Sequence, residues 1–186
     1  MNLGIHKETI VLYEHDIKWK EMAKDTIKEL KGIFRNFAID IQHIGSTAID
    51  NIKAKPIIDI VVGIQNFNEF TGLKEKLAQK EYFYRPFKDD DEILIKGNMK
   101  EETRTHYIHV VIYGSNEWNN QLNFRDYMNN HINEAKNYEN LKIELQKVNQ
   151  NNRLNYQEGK REYIEEILKK AKEWRIKIIE KSQTST

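Results

Sequence analysis

Apolar residues follow two regimes along this chain, with strands and helices mixed in the first part and helices alone in the last. Residues 9–13 read as a short strand, and Asp16 suits the N-cap of a helix of about four turns. Trp19, Met22, Ala23, Ile27 and Leu30 share one face of that helix, and Gly32 is placed to close it. Residues 38–44 alternate in strand fashion up to Gly45-Ser46, and a turn or short helical piece over 47–53 leads to Pro56. The run 57–64, IIDIVVGI, is almost wholly apolar, the pattern of a central strand covered on both faces, with Asp59 as its one charge. Phe70, Leu73 and Leu77 put a second helix over 68–80. Strands at 82–87, 93–96 and 105–113 follow as a meander, with turns at 88–92 and 97–102. The first turn carries Asp89-Asp90-Asp91, which lacks the glycine and distal glutamate of an EF-hand and reads as a solvated hairpin turn. From residue 116 the pattern is helical, over 116–130, 133–150 and 155–179, ending in a polar tail. The chain therefore predicts one α+β domain, 1–186, in which a sheet-containing half (about 9–113) meets a helical half (about 116–179) without a Pro- or Gly-rich linker.

Charges on apolar faces sharpen this picture. In the first helix of the second half, Arg125 lies inside the stripe of Trp118, Leu122 and Met128. In the last helix, Lys160 sits midway between Tyr156 and Ile164, and in the helix between them Lys142 lies at the stripe's edge, where a surface lysine is expected. Inward cations need partners, because an unpaired buried charge costs several kcal/mol. Arg125 and Lys160 therefore either pair with an internal acid such as Asp126 or Asp59, or face a cleft and hold an anion, most naturally phosphate.

Composition excludes several function classes. Lys plus Arg number 30 against 29 Asp plus Glu, a net charge of +1, so a basic surface for nucleic acid is not expected. The absence of Cys removes disulfides, thiolate zinc sites and cysteine nucleophiles. With no signal-like apolar run and no long apolar span, a cytoplasmic protein away from the membrane is expected.

Gly45-Ser46-Thr47, after a strand and before a short helical piece, forms a plausible phosphate cradle, and Asp59 arrives on a neighbouring strand. The segments HIGSTAIDNIKAKPIIDIVVGI, THYIHVV, LNFRDYMNNH, YENLK and YQEGK, in that order, resemble the bacterial GrpB family, which also occurs as the C-terminal domain of some dephospho-CoA kinases. The resemblance spans about residues 11–174. It implies a nucleotidyltransferase-like mixed sheet flanked by helices, with Gly45 and Ser46 at the triphosphate and Asp59 at a divalent metal, Mg²⁺ or Mn²⁺. It also places His109 on the strand where active nucleotidyltransferases often carry another carboxylate, and matches Arg125, Lys142 and Lys160 to family positions.

One departure from that pattern matters. A carboxylate pair on a strand needs its second member two residues after Asp59, and position 61 is Val. Asp50 is either a substitute from the preceding loop or part of a solvated turn. His109 is a metal ligand, a general base or a hydrogen-bonded core histidine, and His43 either buttresses the Gly-Ser turn or transfers protons. His106 and His109, three apart on a strand, face opposite sides and do not make a zinc pair. A Ser46–His109–Asp59 hydrolase has the residue types but no Gly-x-Ser-x-Gly elbow. The expected function is binding of a nucleotide or other phosphorylated small molecule in a cleft between sheet and helices, with metal-dependent nucleotidyl or phosphoryl transfer. The alternative is a non-catalytic module that binds a nucleotide or a partner protein.

Overall fold

A computed structural model gives the three-dimensional structure, and it describes residues 3–88, 91–150 and 152–184. In chain order the elements are β1 (Ile5–His6), α1 (Lys18–Phe34), β2 (Ala38–Ile44), β3 (Ile58–Ile64), α2 (Phe67–Phe70), α3 (Lys74–Gln79), β4 (Phe83–Lys88) and β5 (Asp91–Lys96). They continue with β6 (Thr103–Arg104), β7 (His106–Ile112), α4 (Asn116–Asn130), α5 (Ile132–Val148), α6 (Arg153–Glu158) and α7 (Arg161–Thr184). Five strands make a mixed sheet in the order β2-β3-β7-β5-β4, in which only β3 and β7 run parallel. The fold is thus a mixed α+β sheet with helices, as the sequence pattern requires.

The near-continuous apolar run of β3 is explained by its central place and by cover on both faces. On one face Ile58, Ile60, Val62 and Ile64 join Ile108 and Val110 of β7 and pack against Trp19, Ala23, Leu30 and Phe34 of α1. On the other face Val61, Val111 and Ile44 pack beneath Trp118 of α4. A third cluster, around Tyr138, Ile167 and Ala171, holds the C-terminal helices together and takes in Ile49 and Ile52 from the segment before β3. Gly63 is needed where α4 crosses the sheet, because a Cβ there would lie 2.8 Å from the Trp118 ring.

Several elements differ from the sequence expectation. Residues 9–13 form no ladder: Tyr13 bridges Ala54 alone, and Ile10 is buried without strand pairing. The strand in that region is instead β1, paired with β6. Gly32 does not end α1, which runs two residues further and reverses at Arg35 with a φ of 49°. The 68–80 helix is broken by a 3₁₀ turn over Thr71–Leu73, where Gly72 weakens the helix. The last expected helix is two, α6 and α7, separated at Gly159-Lys160. The turn at Asp89-Asp90 lies outside the described residues, although β4 and β5 pair as an antiparallel hairpin on either side of it. Among the described residues, no helix is long and apolar enough to cross a membrane.

Candidate functional site

The bend after β2 is built by glycine. Gly45 has a φ of 71°, outside the range that side-chain-bearing residues favour, and Ser46–Ala48 follow as a 3₁₀ turn. The β2–β3 register sets Ile44 opposite Asp59, so the bend lies against that carboxylate. A Cβ on Gly45 would come within 2.8 Å of Asp59 Cβ and Cγ, a separation only glycine avoids. Thr47 turns inward: its hydroxyl donates to the Ile57 carbonyl at 3.2 Å, which leaves its oxygen to accept from His43 Nε2 at 3.0 Å. His43 therefore carries its proton on Nε2 and braces the bend, and burial together with the Arg125 charge lowers its pKa to about 4. Neither Thr47 nor His43 lines the cavity described next.

Ser46, Asp59 and His109 stand on the wall of a cavity of about 250 Å³ between the sheet and the helical half. Four cationic side chains line it too: Lys55 from the segment before β3, Lys142 from α5, Arg153 from the start of α6, and Lys160 from the α6–α7 break. The break has a purpose here, because it lets Lys160 and Tyr156 present themselves to one opening, with the Lys160 ammonium 4.6 Å from the Tyr156 ring centre. Lys142, expected at a surface edge, is buried instead at 2% exposure, its ammonium donating to the Lys53 carbonyl at 2.5 Å and lying 4.7 Å from the Tyr138 ring centre. Tyr138 in turn is hydrogen-bonded to Ser46, which ties the Gly-Ser bend to the helices.

Crowding of like charge marks the site electrostatically. Burial, with Lys160 and Lys55 acting in the same direction and Glu139 against them, lowers Lys142 to about 7. Burial likewise brings Lys55 and Lys160 to about 8, Asp59 pulling each of them back upward. Burial raises the Asp59 carboxyl above the usual carboxylate range, opposed by His109, Lys55, Lys160 and Arg153. Two lysines and an arginine thus act on one carboxylate, and Lys142 adds to the basic lining of the same cavity.

Arg125 does not reach this cavity. Its guanidinium donates to Asp126 at 2.8 Å, to the Gln42 side chain at 3.0 Å and to the His43 carbonyl at 2.9 Å, so it clamps α4 onto β2. The stripe position was inward as expected, but it points to the sheet edge. Asp50 is half-exposed, paired with Lys20 at 2.6 Å, and away from the cavity. His106 occupies the opposite sheet face from His109, bonded to Thr26 at 3.0 Å.

The metal implied by the family resemblance meets a donor set that does not fit it. Val61 points the same way as Asp59 but is fully buried under Trp118, with no room for a second carboxylate. Among the described residues, no three histidine or acidic side chains gather closely enough to hold a metal ion. The cavity's four cations repel a divalent cation and attract an anion. Sequence reasoning missed Lys55 and Arg153. Lys55 had a signal, standing directly before Pro56 and four residues before Asp59, whereas Arg153 follows an Asn-rich stretch and carries none.

Known proteins share this architecture. The GrpB protein family model matches residues 9–170. The Glutamate-rich protein GrpB of Alkalihalophilus pseudofirmus is 35% identical over 170 residues, covering 89% of this chain and 98% of that protein. The crystal structure of the conserved protein GrpB from Enterococcus faecalis superimposes with a TM-score of 0.81 at 28% identity, over 88% of this chain and 99% of that one. Cid1 in complex with its short product ApU is more distant, with a TM-score of 0.50 and 12% identity over 73% of this chain and 43% of that one, and shares the nucleotidyltransferase-like fold alone. With the family motifs in order from the Gly-Ser bend to the Lys160 break, and with matches along nearly its whole length, this chain is a member of the GrpB family.

Proposed function

We propose that this protein binds a phosphorylated small molecule, with a nucleotide as the leading class, in the cavity between sheet and helices. The observation that carries this is the convergence of Lys55, Lys142, Arg153 and Lys160 with the Ser46 bend on one opening. Cations from four separate segments would not be held together at the expense of mutual repulsion without a guest to neutralise them. Tyr107 and Tyr156 add aromatic walls suited to a base or another planar group. The protein serves as a binding module, because the carboxylate pair needed for nucleotidyl transfer is interrupted at Val61.

One observation favours turnover: Asp59 and His109 share the cavity wall, and a histidine there is placed to act as a general base toward a bound phosphoryl acceptor. Thermal unfolding with nucleoside triphosphates and pyrophosphate tests the binding. Ligand at a hundredfold excess over Kd should raise the melting temperature by about 5–10 °C, and Lys160→Ala should remove most of that rise. Failure of every phosphorylated compound to shift the transition would rule the function out. Product formation from a labelled triphosphate, lost in both Asp59→Asn and His109→Gln, would establish turnover.

A further inference from the structure

The same cavity says how its guest is neutralised, an inference that rests on reading it as a phosphoryl site. We propose that the phosphoryl group binds without a divalent cation, Lys55, Lys142, Arg153 and Lys160 supplying the countercharge and Asp59 acting as an internal counter-ion that the ligand supplants. A metal-dependent phosphate site gathers carboxylates around the ion and leaves few cations for the phosphate. Here that proportion is inverted, with one carboxylate among four basic side chains. Asp59 lies against Gly45 and faces Lys55, Lys160 and Arg153. It therefore occupies the place where an anion cradled by the Gly45-Ser46 bend would meet the same basic groups. Val61, the position from which a second metal-binding carboxylate would come, is sealed under Trp118.

Two anionic groups drawn by the charge of the same cations compete, and Asp59 feels Lys55, Lys160 and Arg153 across the cavity. A phosphoryl dianion next to Asp59 is repelled by that carboxylate while being attracted by the lysines, so Asp59 opposes binding even as it stabilises the empty site. In a metal-bridged site the sign reverses, because the carboxylate is then needed to hold the ion that holds the phosphate. Charge removal at a single atom position thus distinguishes the two arrangements.

Calorimetric titration of ATP into the full chain, once with EDTA and once with excess Mg²⁺, provides the test. Binding is expected in EDTA, with Mg²⁺ weakening it by a few-fold because magnesium masks the phosphate charge. Asp59→Asn, which keeps the shape against Gly45, is expected to tighten binding about tenfold, and Lys160→Met to weaken it by at least about tenfold. Asp59→Ala serves as a second variant should the amide misfold. Binding seen only with Mg²⁺ or Mn²⁺, or abolished in both Asp59 variants while their melts remain cooperative, overturns metal-free recognition but leaves phosphoryl binding standing. Absence of binding by ATP and pyrophosphate under either condition overturns both.

Discussion

Gly45 and Arg125 illustrate how single residues hold the bend after β2 in place. Gly45→Ala meets both an unfavourable φ and the Asp59 side chain, so urea melts should show a loss of about 1–3 kcal/mol, together with weaker nucleotide binding. Arg125→Ala leaves Asp126 with Arg175 as its remaining partner and breaks the clamp on β2; it should cost about 2–4 kcal/mol while leaving nucleotide affinity unchanged. Burial lowers His106 from 6.5 to about 4. The folded state then binds fewer protons than the unfolded one between those values. Stability from this group is therefore present above 6.5 and lost as pH falls through 4, on the order of 3 kcal/mol, removed in His106→Gln. Lys142 acts over a higher window. With its value lowered from 10.5 to about 7, the ligand-free protein should gain stability as pH rises from 7 towards 10.5, a trend flattened in Lys142→Met and measurable by denaturant melts across that range.

Among the elements, β3 has the most consequential neighbours. Its apolar run was legible as a central strand, and the second face explains why position 61 is apolar: Trp118, Ile44 and Val111 close over it. Restoring a carboxylate by Val61→Asp should therefore destabilise by several kcal/mol and create no Mn²⁺ site, as urea melts and metal titration would show. The motif spacing from Gly45-Ser46 to Asp59 foretold their contact because the bend directly follows β2, whose last residue, Ile44, is set opposite Asp59 by the β2–β3 register. Helix faces were less informative. Periodicity marked Arg125 and Lys160 as inward, but an inward direction on α4 leads to the β2 edge, whereas Lys160 lies in a break that periodicity read as continuous helix. Lys142 looked like an edge lysine because one helix alone does not reveal that the segment before β3 covers this side of α5, where the Lys142 ammonium meets the Lys53 carbonyl.

At the scale of the whole molecule, the cavity draws on the segment before β3 and on α5, α6 and the α6–α7 break, so neither half of the chain holds the site by itself. Fragments 1–114 and 115–186 should each fail to bind nucleotide when separate, as titration of either piece would show. The three apolar clusters also carry one tryptophan apiece: Trp19 under the sheet with α1, Trp118 between α4 and β3, and Trp174 against the C-terminal helices. Nature has thereby left a separate optical probe in every layer. Variants retaining one indole each would let fluorescence follow the layers one by one, and three superimposable emission curves would show that they melt as a single cooperative unit.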